Sequence, residues 1–260
     1  MLSKNKIKHI KSLEYKKQRD EYGEFLAEGN KLISDLLGHF ECRLLMAKPS
    51  WMATQGDLKA DEVIVANEED ICRASLLKSS QDVLAVFKKP AYLLDVEALK
   101  NKLSLAIDGV QDPGNLGTIL RVADWFGIDT VVCSPNCADV YNPKTVQATM
   151  GALARVRVHY TALPQLLEQL NIPVYGTVLN SESIYNVFLE NKGVIVIGSE
   201  GNGISREVEA LLTQKLFIPD FPLGGAVSES LNAAVATGIV CAEFRRRYST
   251  PPPKPSNKSC

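Results

Sequence analysis

No apolar run in this sequence approaches the roughly 20 residues that a membrane-crossing helix needs. The first twenty residues also lack the hydrophobic stretch of a signal peptide, so the protein is expected to be cytoplasmic, with no membrane partner. Histidines number three and cysteines six, and no C-x-x-C pair occurs. Cys133 and Cys137 form C-x3-C, but no histidine completes a zinc pattern around them. Reduced, mostly buried thiols and no metal site are therefore expected. Strong charge of either sign is missing as well, since 260 residues carry a formal net charge of −1.

The charge that is present is unevenly placed. Residues 1–20 hold Lys4, Lys6, Lys8, Lys11, Lys16, Lys17 and Arg19 against Glu14 and Asp20, a surplus of +5. Residues 245–260 hold Arg245, Arg246, Arg247, Lys254 and Lys258 with no acid, another +5, which leaves −11 for the body. Basic ends on an acidic body can attract phosphates locally. A solvated helix and a solvated tail account for them equally well.

The chain divides near residue 90. Before it, short apolar strands at 41–47, 61–66 and 83–87 alternate with helical stretches around 30–38 and 68–77, a small α/β unit over residues 1–90. Residues 91–102 read as a linker with a helical turn or two. From 103 to 247 the pattern is strand, loop, helix, repeated. Strands are expected at 103–108, 130–134, 154–160, 173–179, 193–198 and 215–219, with a last helix from about Glu229 to Arg247. Several of these strands are apolar throughout, the signature of a mainly parallel sheet covered by helices on both faces. The Pro/Ser/Lys-rich residues 248–260 are expected to be disordered. In such sheets ligands bind at the carboxyl ends of the strands, so the loops after 108, 179, 198 and 219 are where chemistry is expected.

Three of these loops carry unusual residues. D-G-V-Q-D-P-G-N-L-G-T-I-L-R (108–121) has the G-x4-G spacing of a P-loop at Gly109 and Gly114. Asn115 and Leu116 stand where Lys and Ser/Thr would be needed, which excludes that reading. A dinucleotide G-x-G-x-x-G is absent too. A helix is expected from near Gly117, with Ile119, Val122, Ala123 and Phe126 on its core face. Arg121 falls off that face, free to meet a phosphate or to pair locally with Asp124. G-S-E-G-N-G-I-S-R-E (198–207) places three glycines in six residues, with Glu200 among exposed amides and Ser205 as a possible cap. I-P-D-F-P-L-G-G-A-V-S-E-S-L-N-A-A-V-A (218–236) runs from a strand end into a small-residue helix, with Ser230 and Asn232 as typical caps.

Their order says more than any one of them. N-x-G-x-x-x-R (Asn115, Gly117, Arg121), then G-S-E-G-x-G (Gly198 to Gly203), then I-P followed by S-L-N (Ile218, Pro219, Ser230, Leu231, Asn232) resembles the three motifs of the SpoU/TrmH branch of the SPOUT RNA methyltransferases. The resemblance covers about residues 103–247. K-K-Q-R-D-E-Y-G-E-F-L-A-E-G (16–29) is similar to the start of the L30e-like RNA-binding domain that precedes the catalytic domain in ribosomal-RNA members. Two departures stand out. Ten residues (220–229) separate Pro219 from Ser230, longer than the family's usual loop, and Ala233 replaces a customary valine.

The resemblance implies a parallel α/β fold with a C-terminal trefoil knot, an N-terminal substrate-binding domain and a homodimer through the catalytic domain. It implies S-adenosylmethionine as cofactor, held by Thr177, Val178, Leu179, Gly198, Ser199, Gly201, Gly203, Ile218 and Leu231. It implies methyl transfer to a ribose 2′-hydroxyl of RNA, most naturally 23S ribosomal RNA. Arg121 matches the family's catalytic arginine. A guanidinium stays protonated, so phosphate anchoring and stabilisation of alkoxide charge suit it better than a base role. Asn115, Ser230 and Asn232 would position ribose and arginine, with Glu200 holding the loop. The alternatives are a transfer-RNA 2′-O-methyltransferase and a non-catalytic RNA-binding protein on the same fold.

Overall fold

The computed structural model describes residues 3–221 and 230–248. In chain order the N-terminal unit comprises α1 (Lys4–Ser12), α2 (Lys16–Tyr22), β1 (Glu24–Glu28), α3 (Asn30–Leu36), β2 (Cys42–Ala47), α4 (Pro49–Met52), β3 (Glu62–Val65), α5 (Glu68–Ala74) and β4 (Val83–Lys88). Its sheet runs β1-β4-β2-β3, with β2–β3 parallel and the other pairs antiparallel. Period-two alternation gives the sheet two apolar faces. Leu84 and Val86 of β4 pack with Ile10, Leu13 and Ile71 on one side. Val83, Ala85 and Phe87 join a second core on the other. A bulge between Cys42 and Leu44 lets both even-numbered residues be buried on opposite faces.

Strand β1 escaped the sequence reading because it is short and ends in glutamates. Glu28 is nevertheless buried. Its carboxylate accepts the Leu76 N–H at 2.9 Å and the Ser75 hydroxyl. Burial still pushes its pKa above the ordinary carboxylate value.

After the short α6 (Val96–Leu99), the second unit comprises β5 (Leu103–Asp108), α7 (Pro113–Trp125), β6 (Thr130–Cys133), α8 (Pro143–Thr149), a 3-10 turn (Ala152–Ala154), β7 (Arg157–Tyr160), α9 (Leu163–Leu170), β8 (Val174–Ser183), β9 (Gly193–Gly198), α10 (Arg206–Glu209), β10 (Gln214–Phe217) and α11 (Ala233–Tyr248). Its six strands lie in the order β10-β8-β9-β5-β6-β7, every pair parallel. Leu105, Ile107, Ile195 and Ile197 point to the face covered by α7, α8 and α11. Ala106, Val194 and Val196 point to the face covered by α6, α9 and α10. The expected buried parallel sheet is therefore observed, and no helix among the described residues is long and apolar enough to cross a membrane.

Several boundaries differ from the sequence reading. The strand expected at 154–160 begins only at Arg157, because Ala152 and Leu153 are buried in the 3-10 turn. Helix α7 starts at Pro113, capped by Asp112, not near Gly117. Its buried face adds Leu116 and Leu120 to Ile119 and Ala123, while Val122 and Phe126 are only half-buried. Helix α11 begins at Ala233, and Glu229 lies outside the described residues. Tyr248 is still helical, so the proposed tail loses its first residue to α11, and 249–260 lie outside the described residues.

The arginines of the two basic ends are taken up by the fold, while Lys4, Lys8, Lys11, Lys16 and Lys17 stay exposed. Arg19 is 1% exposed. It donates to Asp139 Oδ2 at 2.7 and 3.1 Å and to the carbonyls of Leu13 and Glu14. Arg245 donates to the Phe126 carbonyl at 2.8 Å, Arg246 pairs with Glu243, and Arg247 donates to Glu243 and the Ile184 carbonyl. Helix C-termini supply unpaired carbonyls that attract such donors. The arginines hold the molecule together instead of offering charge to a partner. Nor are the two units beads on a string: the Arg19–Asp139 pair and the Phe25–Tyr141 ring contact cross between them.

Candidate active site

The carboxyl ends of β5, β8, β9 and β10 bring three of the sequence-selected segments together. Asp112 starts the first: its carboxylate accepts the Asn115 N–H at 2.7 Å, which fixes Asn115 as the third residue of α7. Gly117 lets α8 approach, since a Cβ there would lie 2.5 Å from the Ala148 Cβ. At the end of β9, a Cβ on Gly198 would lie 2.2 Å from the Gly203 backbone. The Ser199–Gly203 hairpin can therefore fold back only on glycine.

Asn115, Glu200 and Asn232 form one hydrogen-bonded chain. Glu200 accepts from Asn115 Nδ2, and from the Ala233 N–H at 3.3 Å. Asn232 Nδ2 donates to Asn115 Oδ1 at 2.8 Å. Asn232 Oδ1 accepts the N–H groups of Ala234 and Val235 at 3.0 and 3.3 Å, capping α11. A carboxylate can only accept, so it dictates the orientation of every amide in the chain. The N-terminus of α11 in turn favours the negative charge. Glu200 does sit among amides, as expected, but they are the Asn115 side chain of α7 and the Ala233 N–H of α11, not those of its own loop. Ser230 makes only a long 3.5 Å contact to the Glu200 carbonyl and does not cap. Ser205 does not cap with its side chain either; its N–H donates to Asp108 Oδ2 at 2.8 Å.

Beside this chain opens a cavity of about 560 Å³, of a size suited to a cofactor. Thr177, Val178, Leu179, Gly198, Ser199, Gly201, Gly203, Ile218 and Leu231 all line it, together with Ile197, Leu216 and Glu209. Its walls combine glycine-rich backbone, aliphatic side chains and Phe217 with the polar Thr177, Asn202, Glu200 and Glu209, and among the described residues no lysine or arginine lines it. Glu209 is neutralised by Lys215 at 2.5 Å, whereas no cation pairs with Glu200 among the described residues. An anionic nucleotide finds no counter-charge here. A ligand with apolar parts and net positive charge does.

Arg121 stands apart. It is exposed on α7, six positions beyond Asn115 in sequence, and lines neither this cavity nor the one next to it. The local alternative, a pair with Asp124, is not formed, because Asp124 is taken by Arg155. Sequence reasoning passed over Gln111 and Asn136, which line a second cavity of about 400 Å³ that shares the Ser199–Gly203 hairpin. Asn136 lies after β6, where no motif marked it. Also beneath the first loop, the Cys137 thiol lies 3.2 Å from the Ile107 carbonyl. A hydrogen bond from Cys133 is the main cause that lowers its pKa to about 6.

The same residues carry a family signature. The SpoU rRNA Methylase family matches residues 102–242, more than half of the chain, and an MRM3-like substrate binding domain matches residues 4–85. The chain belongs to the SpoU rRNA methylase family. This SpoU chain is 30% identical over 245 residues to the Bacillus subtilis 23S rRNA (guanosine(2553)-2′-O)-methyltransferase RlmP, spanning 92% of this chain and 96% of that one. It is 28% identical to the mitochondrial rRNA methyltransferase 3A of Danio rerio, over 88% of this chain and 65% of the other. Among solved structures, a TrmH-family chain of Porphyromonas gingivalis superposes with a TM-score of 0.86 at 42% identity, covering 95% and 99%. An AdoMet-bound rRNA methyltransferase of Sinorhizobium meliloti superposes with a TM-score of 0.79 at 27% identity, covering 96% and 97%. As a SpoU methylase, the protein is an RNA methyltransferase enzyme.

Proposed function

We propose that this SpoU methylase transfers a methyl group from S-adenosylmethionine to a ribose 2′-hydroxyl of ribosomal RNA. The observation that carries the reading is the Asn115–Glu200–Asn232 chain at the rim of the 560 Å³ cavity, which joins all three motif segments at one point. The cavity fits the cofactor on chemical grounds: aliphatic walls for the adenosine, glycine-rich backbone for the polar groups, and an unpaired carboxylate at the rim for a net cation. When bound, S-adenosylmethionine supplies a methyl group already activated on a sulfonium sulfur. The protein's tasks are then alignment and stabilisation of charge on the attacking oxygen; alignment alone can supply roughly 7–11 kcal/mol in favourable cases.

Glu200 locks both amides of the chain, and Asn115 and Ser230 are placed to hold the ribose at the cavity rim. Asn232 acts at one remove, holding Asn115 and the start of α11. Arg121 anchors the adjacent phosphate and stabilises the developing alkoxide, while the hydroxyl proton leaves to water. Because Arg121 borders neither cavity of its own subunit, we place it at the site of a second copy. The proposed dimer is supported by the exposed apolar surface of α11, where Val235 and Ala242 face solvent seven residues apart, and by exposed Leu231 and Leu179 near the cavity. The trefoil knot implied by the family is supported by the insertion of β10 beside β8 and the return of α11 onto α7.

Residues 1–90 are proposed to deliver RNA, with lysines such as Lys4, Lys8 and Lys11 exposed on α1 and beside it. The test is mass-spectrometric mapping of ribose methylation in ribosomal and transfer RNA from a deletion strain, followed by methylation of the unmodified transcript by purified protein. A missing 2′-O-methyl group in the large ribosomal RNA, restored by the protein, supports the reading. A change confined to transfer RNA would redirect it.

A further inference from the structure

The second cavity shares the Ser199–Gly203 hairpin, Glu200 included, with the cofactor cavity, so the two lie against one short piece of backbone. Its lining contains three carboxylates (Asp108, Asp112 and Glu200) and, among the described residues, no lysine or arginine. A phosphate is therefore excluded on electrostatic grounds. The part of a nucleotide that suits an acidic cavity is a neutral group rich in N–H donors.

Two of the cavity's polar groups have a defined polarity. Asn136 Oδ1 accepts the Ser134 hydroxyl at 2.6 Å, which leaves its Nδ2 as a donor; a Cβ on Gly109 would lie 3.4 Å from that nitrogen. Asp112 spends Oδ1 on the Asn115 N–H, and no cation pairs with it among the described residues. Its remaining lone pairs can only accept. A carboxylate acceptor and an amide donor in one cavity match the guanine edge, with N1–H and the exocyclic N2–H beside the O6 acceptor. Adenine and cytosine lack a ring N–H beside an amino donor, and uracil has only one N–H on that edge.

Resting on the methyltransferase reading above, we propose that this cavity receives the base of the acceptor nucleotide and that Asp112 and Asn136 select guanine. Asp112 would accept from N1–H and N2–H, and Asn136 would donate to O6, the way enzymes that work on an unstacked base read its pairing edge. The acceptor ribose would then lie at Asn115 and Glu200, between base and cofactor.

The test uses the full chain and a large-subunit ribosomal RNA transcript whose acceptor has been mapped by mass spectrometry. The acceptor is replaced in turn by inosine, which lacks only the N2 amino group, and by adenosine. For the wild-type protein we expect kcat/KM to fall about 10-fold with inosine and about 100-fold or more with adenosine, because polar groups that the bound base covers are left unpaired. Asp112→Asn keeps a good helix cap. It should abolish the preference for guanosine over inosine while leaving S-adenosylhomocysteine affinity unchanged. Asn136→Asp should reduce guanosine methylation by a similar factor. A mapped acceptor other than guanosine, equal rates on inosine and guanosine, or an Asp112→Asn protein of unchanged preference would overturn this inference alone. Failure of the wild-type protein to methylate any RNA would overturn the methyltransferase reading, and this inference with it.

Discussion

Arg155 grips Asp124 with two parallel hydrogen bonds, Nε to Oδ1 at 2.8 Å and Nη2 to Oδ2 at 2.7 Å. The pair joins the C-terminal end of α7 to the turn before β7, and it removes the one acid that the sequence offered to Arg121. Its energetic worth is modest, since both side chains reach solvent. Its consequence is to leave the Arg121 guanidinium without an acid partner among the described residues.

Arg121→Ala should therefore leave the fold almost untouched, because no core contact or ion pair is lost. With phosphate and alkoxide as its targets, kcat should fall by about 10²–10³, while calorimetry with S-adenosylhomocysteine changes little. Arg121→Lys should recover only part of the rate, since the planar fork is lost. Normal methylation by a folded Arg121→Ala protein would remove this residue from the mechanism.

Asn232 has two duties that substitution can separate. Asn232→Ala removes the α11 cap and should cost about 1 kcal/mol of stability, measured by denaturant unfolding. Asn232→Ser keeps the cap but cannot span to Asn115. Stability should stay within a few tenths of a kcal/mol of wild type while kcat falls about 10-fold. Equal activities of Asn232→Ser and wild type would confine Asn232 to capping.

The buried Arg19–Asp139 pair should be a major tie between the two units. Arg19→Met strands the Asp139 carboxylate and the Leu13 and Glu14 carbonyls, and the expected loss is about 3–5 kcal/mol. Adding Asp139→Leu should return part of it, because no unpaired charge then remains. A single mutant of wild-type stability in urea would show that the units dock through apolar contacts alone.

Cys137 should titrate well below an ordinary thiol, which ionises near 8.5. The Cys133 hydrogen bond comes first among the causes, burial opposes it, and the Ser134 hydroxyl and the Val110 backbone add to the lowering towards about 6. The pH profile of iodoacetamide labelling at Cys137 should have its midpoint near 6. A depressed folded value means that the thiolate's contribution to stability is fully present above the unfolded value and is lost as pH falls through about 6. Cys137→Ser should flatten that dependence. A labelling midpoint near 8.5 would refute it.

Legibility in the sequence followed the range of the interactions. β5 and β9 match their expected limits because runs such as Leu-Ser-Leu-Ala-Ile-Asp and Gly-Val-Ile-Val-Ile-Gly satisfy burial on both faces by themselves. The nine residues expected to hold a cofactor came together as a set, since glycine spacing and strand ends are local properties, and every one of them lines the 560 Å³ cavity. Less legible were α7, whose true start was hidden in Asp112-Pro113, and β1, disguised by a buried Glu28.

By itself, then, the chain determined its class, the parallel sheet, the three loops at the strand ends and the glycine-rich and aliphatic residues that line the larger cavity, all consequences of short-range pattern. Partnership was decided only by tertiary structure. Whether Asp124 faces Arg121 or Arg155, whether Arg19 and Arg245 meet solvent or carbonyls, and whether Asn136 reaches the loop after β5 depend on which segments the packed sheet and helices bring side by side. A charged or amide side chain satisfies its hydrogen-bonding groups with whatever donors and acceptors the fold places within about 3 Å, and those neighbours lie up to 120 positions away in sequence.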